Sequence, residues 1–368
     1  MRSVPVLCVL LAASAVSGQV CDRWVKVSEG GYTLSNYHHA VYDAHAGHTL
    51  MVATNPATGD FVETWAWDGS AWTKLSGGGP ARRYLSAMAY DSDRGRAVLA
   101  AGHVVKLGGT QPDTWEWDGV EWTEVDYGHI VPVVGHEMAY DSWRGVAVLW
   151  GGAYEETLPE QVYEWDGVKW KEHWNVVPSP AGRAAHAMAF DAARGVTVML
   201  AGSYGGLVRS DLWEWDGEGW TLRVEEGPFG FRNNSMLIYD SRREVCVLYG
   251  GTDGSVYLDE MWEWDGMNWR KVPTTLVHSR ARQTAGFAYD ADRGVYVLAG
   301  GRGFFGQQLN DTWEYRPCDR DCDLDVFDYL CFQDKFASGS MYADFERDGD
   351  LDVFDFLAFL DEFVGGCP

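Results

Sequence analysis

Six carboxylates crowd into twelve residues near the C-terminus of this 368-residue chain, five of them, Asp344, Glu346, Asp348, Asp352 and Asp355, at metal-ligand spacing. Counted from Asp344 they occupy positions 1, 3, 5, 9 and 12, with Gly349 at position 6 and Asp350 at position 7. A hard cation such as calcium takes oxygen ligands at this spacing, a backbone carbonyl at position 7 included, and the glycine permits the sharp turn between them. Calcium is therefore the expected cofactor of this loop. Phe356, Leu357, Leu360 and Phe363 follow at helical spacing and predict a helix after it. An earlier copy lies 27 residues upstream, since Asp323 to Phe336 matches Asp350 to Phe363 at 10 of 14 positions. That copy keeps Asp319, Asp321, Asp325 and Asp328 as ligands but has Pro317 at position 1 and Cys322 at position 6, so its occupancy stays open.

A second recurrent chemistry is cationic. Arg83, Arg183, Arg232 and Arg282 each stand eight residues before an Asp that recurs along the chain, and His38, His136 and His186 stand five before it. Guanidinium groups repeated around a centre would attract an acidic ligand, because Arg binds carboxylates bidentately. The same arginines could instead bond backbone carbonyls of a neighbouring repeat, and the histidines could satisfy core polar groups. Tyr154, Tyr204, Tyr257, Arg302, Phe304 and Phe305 stand among Gly and polar residues in segments that vary between repeats, where a repeated scaffold usually carries its specificity.

The elements that must position these groups are repeats. Aromatic-Asp steps end at Asp43, Asp91, Asp141, Asp191, Asp240 and Asp290, at spacings of 48, 50, 50, 49 and 50 residues. Trp67, Trp117, Trp165, Trp215 and Trp264 each precede Asp-Gly, and Tyr315 takes the sixth place. Each unit reads as four short strands, for example 185–190, 196–201, 211–215 and 219–223, with Asp and Gly at the turns. Six four-stranded units of about 50 residues predict an all-β, six-bladed β-propeller.

Around each Asp-Gly hairpin three aromatics share one face, as Trp115, Trp117 and Trp122 do. Aromatics in one register of every blade are what blade-to-blade packing needs, so they are read as core rather than as a sugar-binding row. The sixth unit lacks a fourth strand. Cys21 to Val27 aligns with Met267 to Val272, placing Trp24 where Trp269 stands, so an N-terminal strand is expected to complete blade six and close the ring. In that alignment Cys21 and Cys318 flank the missing hairpin, and a disulfide between them is expected to replace it. The pairing of Cys322, Cys331 and Cys367 stays open.

An apolar strand followed by a Gly pair (Gly151-Gly152, Gly250-Gly251, Gly300-Gly301), an acidic-aromatic strand and a closing Trp together resemble the Kelch repeat family over residues 21–316. Blade one departs, with Thr54-Asn55 at the Gly pair. The duplicated loop-plus-helix of residues 317–368 resembles a dockerin, which implies docking onto a cohesin-like protein or a surface scaffold. Where clostridial dockerins carry a Ser-Thr pair, this chain has Val326-Phe327 and Val353-Phe354, either an apolar recognition patch or helix core. Kelch-like propellers host binders and an oxidase alike, so fold alone does not assign function.

Export and charge bound the function. Arg2 followed by an apolar run and small residues through Gly18 reads as a signal peptide over residues 1–18, leaving a propeller over 19–316 and the dockerin-like module over 317–368. No later segment is apolar for long enough to span a membrane. The formal charge of -25 argues against a nucleic-acid partner. The Tyr-Cys crosslink of a galactose-oxidase-type site has no evident cysteine, and metalloprotease, sialidase, serine-hydrolase and phosphate-loop motifs are missing from the sequence. The expectation is a secreted binding protein whose propeller engages an extracellular glycan, protein or acidic ligand. A propeller enzyme delivered by its dockerin, or a structural surface protein, are the alternatives.

Overall fold

The computed structural model describes residues 23–32, 37–54, 60–204, 207–272, 281–303 and 306–317. Residues 23–317 form one compact unit, and every secondary-structure element among its described residues is a strand. Its main elements are six four-stranded antiparallel sheets. Blade one holds His38–Asp43, His48–Thr54, Val62–Trp67 and Trp72–Ser76. Blades two to five repeat this meander, beginning at Ala87–Asp91, Glu137–Asp141, Ala187–Asp191 and Met236–Asp240. Blade six comprises Gly286–Asp290, Val295–Ala299, Asp311–Arg316 and, from the N-terminus, Arg23–Glu29. The first strands touch one another in cyclic order, blade six against blade one included, which makes the arrangement propeller-like.

Blade six closes as its alignment suggested. Arg23–Glu29 pairs antiparallel with Asp311–Arg316, setting Trp24 opposite Tyr315. Trp24 is buried, its ring 5.3 Å from Tyr315 and 5.1 Å from Tyr249 of blade five. Covering this edge leaves no open strand where the ring begins and ends.

Between blades one and two, Trp117 and Trp122 pack on Leu50, Val52 and Val62. Tryptophans fill other seams too, and there the facing blade can also bring an aromatic, as Trp150 does against Trp220 and Tyr249 against Trp24. Trp67, Trp117, Trp165, Trp215 and Trp264 are each at most 2% exposed, which rules them out as a surface platform. Their indole N–H groups reach across the seams: Trp67 donates to Glu314 at 2.8 Å, Trp165 to Glu116 at 2.8 Å and Trp215 to Glu164 at 3.2 Å.

Each of those glutamates belongs to a buried ion network that begins at the repeat Asp. Asp191 caps its turn by accepting from the Arg194 amide, and its second oxygen accepts from Arg194 Nε at 2.8 Å while Arg194 Nη1 reaches Glu214 at 2.5 Å. Blades two, three, five and six repeat the triad through Arg94, Arg144, Arg243 and Arg293. Blade one has Ala46 in place of the Arg and Ala66 in place of the Glu. Losing both together leaves Asp43 to the Tyr90 hydroxyl and two backbone amides, and it removes the acceptor that Trp117 would use, so Trp117 Nε1 is without a partner.

Candidate functional site

The first strands enclose a central channel of about 350 Å³. Just before the first strands of blades two to six the backbone turns into the left-handed region, at Leu85, Gly135, Ala185, Asn234 and Thr284, with φ between 51° and 67°. That turn points amide and carbonyl along the ring. Gly135 N donates to Leu85 O at 2.9 Å, Ala185 N to Gly135 O at 2.7 Å, and Asn234 N to Ala185 O at 2.8 Å. Thr284 N then donates to Asn234 O at 3.3 Å, and His38 N to Thr284 O at 3.2 Å. Five links of a backbone belt thus tie consecutive blades around one mouth of the channel. A β-branched Thr284 at φ 53° is a costly conformation, held because the belt over-determines it.

Two patches flank this mouth. On blades one and two, Tyr37 stacks on Tyr84 at 5.8 Å and 22°, and Tyr84 stacks on His103 at 4.7 Å and 25°. All three rings are partly exposed. On blades four to six, Asn234 Nδ2 donates to Asn233 Oδ1 at 3.0 Å and to Gln283 Oε1 at 3.3 Å, and Asn233 Nδ2 lies 3.5 Å from Ser203 Oγ. Tyr37 and Asn234 both line the channel, so the patches share its rim.

The four arginines do not form an open ring, which corrects the expectation of a carboxylate-binding face. Arg183, Arg232 and Arg282 have no exposed surface and Arg83 has 2%. Each guanidinium already holds a carboxylate of its own blade: Arg83 with Asp113 at 2.6 Å, Arg183 with Asp211 at 2.5 Å, Arg232 with Glu260 at 3.1 Å and Arg282 with Asp311 at 2.9 Å. Burial alone would raise the Asp211 carboxyl, yet the Arg183 guanidinium holds it below its ordinary range. At the same residue the backbone carbonyl of Arg183 accepts from Gly152 N of blade three at 2.9 Å. These arginines are internal struts whose side chains fasten the approach to each blade onto that blade's own third strand, while the backbone carbonyls of Arg183, Arg232 and Arg282 accept from a glycine of the preceding blade.

His136 and His186 are likewise internal, with no exposed surface. His136 Nε2 lies 3.1 Å from Ala100 O, and burial pushes its imidazole down to about 3. His186 packs edge-on to Trp150 at 5.2 Å, and burial holds it well below its ordinary value. Gly151 is glycine because a Cβ there would come within 2.7 Å of the His186 ring.

The loop residues divide. Tyr204 is 52% exposed and Arg302 is exposed, whereas Tyr154 packs its ring against the core of blades two and three and Tyr257 is half-buried. Phe304 lies outside the described residues. So do Cys21 and Cys318, the carboxylates at Asp319, Asp321, Asp325, Asp328, Asp344, Glu346, Asp348, Asp350, Asp352 and Asp355, and the apolar pairs Val326-Phe327 and Val353-Phe354. Among the described residues no cluster of three His, Cys, Asp or Glu side chains is placed to hold a metal, and no helix is long and apolar enough to cross a membrane.

Comparison with known proteins returns no assignment. No protein-family model and no curated protein matches this chain. Function therefore rests on the site itself.

Sequence reasoning missed the rim residues Tyr37, Tyr84, His103, Asn233, Asn234 and Gln283, and the channel residue Glu137. The register held a signal for some of them. At the position four before the repeat Asp, blades two, four and six carry Ala87, Ala187 and Gly286, while blades one, three and five carry His39, Glu137 and Met236. A glutamate in a register otherwise filled mostly by small or apolar residues is an exception that a six-fold alignment exposes.

Proposed function

We propose that this chain is a secreted binding protein: a Kelch-type propeller that holds a polar, uncharged extracellular ligand such as a glycan at the channel mouth, carried by a calcium-dependent dockerin-like tail. The observation that carries the reading is the pairing of patches on one rim, the Tyr37–Tyr84–His103 stack and the Asn233–Asn234–Gln283 amides. Aromatic faces cover the apolar faces of a sugar ring, and carboxamides offer both donors and acceptors to its hydroxyls. The rim suits a neutral ligand better than an acidic one, because the arginines that would greet a carboxylate are paired internally. The Gly pairs and closing tryptophans support the Kelch reading, and the spacing from Asp344 to Asp355 supports calcium, with attachment to a cohesin-like partner or surface scaffold as its use.

The test is a glycan array probed with the full chain and with Tyr84→Ala and Asn234→Ala variants. Saturable binding to a glycan class that both substitutions weaken at unchanged thermal stability supports the reading. Absence of binding, or binding that neither substitution touches, removes it.

A further inference from the structure

Below the rim the channel holds an anomaly. In the described residues almost every buried carboxylate has a cation: the repeat aspartates have arginines, the third-strand glutamates share them, and Glu63 has Lys74 at 2.6 Å. Asp43, whose arginine is replaced by Ala46, accepts instead from the Tyr90 hydroxyl and two backbone amides. Glu137 has none of these. It opens Glu137–Asp141, the first strand of blade three, is half-buried, lines the channel, and its side chain makes no hydrogen bond or ion pair. The lining contains no Lys, Arg or Asp, so Glu137 is the one formally charged side chain in the cavity among the described residues. A carboxylate that faces an open cavity without a protein partner has room for an external one.

The rest of the lining carries no competing charge. It is made of apolar side chains, neutral polar groups and one aromatic from each blade, Tyr42, Tyr90, Tyr140, Phe190, Tyr239 and Tyr289. Beside Glu137 in the ring, Ala87 and Ala187 occupy the equivalent position of the neighbouring blades and leave space. The volume of about 350 Å³ lies within the range of small-ligand sites.

We propose that the central channel binds the ammonium group of a small organic cation, with Glu137 as its counter-charge. Burial pushes the empty carboxyl up to about 8, which is the behaviour of a carboxylate whose positive partner is missing. This site is independent of the rim: the guest is cationic and enclosed, whereas the ligand proposed for the rim is neutral and lies across the mouth.

The experiment is isothermal titration calorimetry of the full chain with choline, n-propylammonium and 3,3-dimethylbutan-1-ol, the last a neutral isostere of choline. The expected result is saturable binding of at least one cation, with the alcohol at least ten-fold weaker. Glu137→Gln should raise the Kd for the cation at least ten-fold. Glu137→Met provides a second variant, since Met236 occupies the equivalent position in blade five and shows that the register accepts that side chain. No heat from either cation, equal binding of the neutral alcohol, or undiminished affinity in both variants would each overturn the proposal.

Discussion

The indole N–H of Trp122 donates to the hydroxyl of Thr64 at 2.8 Å, across the seam between blades two and one. Two further seams repeat the bond, Trp72 to Thr312 at 2.8 Å and Trp170 to Thr114 at 2.9 Å. At the other three the threonine is replaced by Val162, Leu212 or Met261. The indoles that would use it, Trp220, Trp269 and Trp24, are without a hydrogen-bond partner. Three seams are therefore locked by a polar clasp and three are closed by apolar contact over a desolvated N–H.

That contrast predicts a stabilising substitution. Val162→Thr keeps the β-branched shape and offers Trp220 an acceptor, which should raise stability by about 1 kcal/mol. In a Trp220→Phe background the same hydroxyl has no donor and should cost about 1 kcal/mol or more. Urea denaturation of the four proteins of this cycle checks the coupling, and equal effects of Val162→Thr in both backgrounds would show that no clasp forms.

The buried arginines predict the opposite sign. Arg183→Met strands the Asp211 carboxylate in the core and should cost roughly 3 to 5 kcal/mol. Adding Asp211→Asn should recover much of that loss. The chain contains a precedent, because blade three carries Val133 and Gln161 where blades two, four and six carry Arg and Asp. Thermal melts of the single and double variants decide between a strut and a surface ligand-binding group, for which Arg183→Met would leave the melt unchanged.

Two channel-side groups should narrow the pH range of stability. Glu137 titrates at about 8 when folded against a reference value of 4.5, so its contribution is fully present below pH 4.5 and is lost as pH rises through 8. His136 titrates at about 3 when folded against 6.5, so the unfolded chain takes up the proton first and stability falls from pH 6.5 towards 3. Each group acts with a limiting slope of ~1.4 kcal/mol per pH unit inside its window. Melting temperatures at pH 5, 6.5 and 8 should show that Glu137→Gln gains on wild type as pH rises. A constant difference across those values would mean that the carboxyl is hydrated in the folded channel.

Calcium should act on the tail and leave the blades alone, because the crowded carboxylates from Asp344 to Asp355 repel one another until a divalent ion binds between them. Binding free energy then becomes folding free energy for that module. Adding calcium to the full chain at ~0.1 to 1 mM should increase the helical circular dichroism signal. Asp344→Ala with Asp355→Ala should abolish the increase, and a wild-type spectrum indifferent to calcium and chelator would remove the dockerin reading.

The sequence by itself determined the six-fold repeat, the four strands of each unit, and the return of the N-terminal strand to the last blade. Those features are written locally, in the two-residue alternation of strands, in Asp and Gly at turns, and in the recurrence of Trp at a fixed distance from them. What it did not determine was which repeated polar groups face water. The recurrent register of Arg83, Arg183, Arg232 and Arg282 was legible, but that it faces inward was not, because it is the folding of each blade that brings a carboxylate such as Asp211 onto the guanidinium and seals the pair from water. Only the closed ring brings Tyr37 to Tyr84, and leaves Glu137 facing a cavity with no cation in reach.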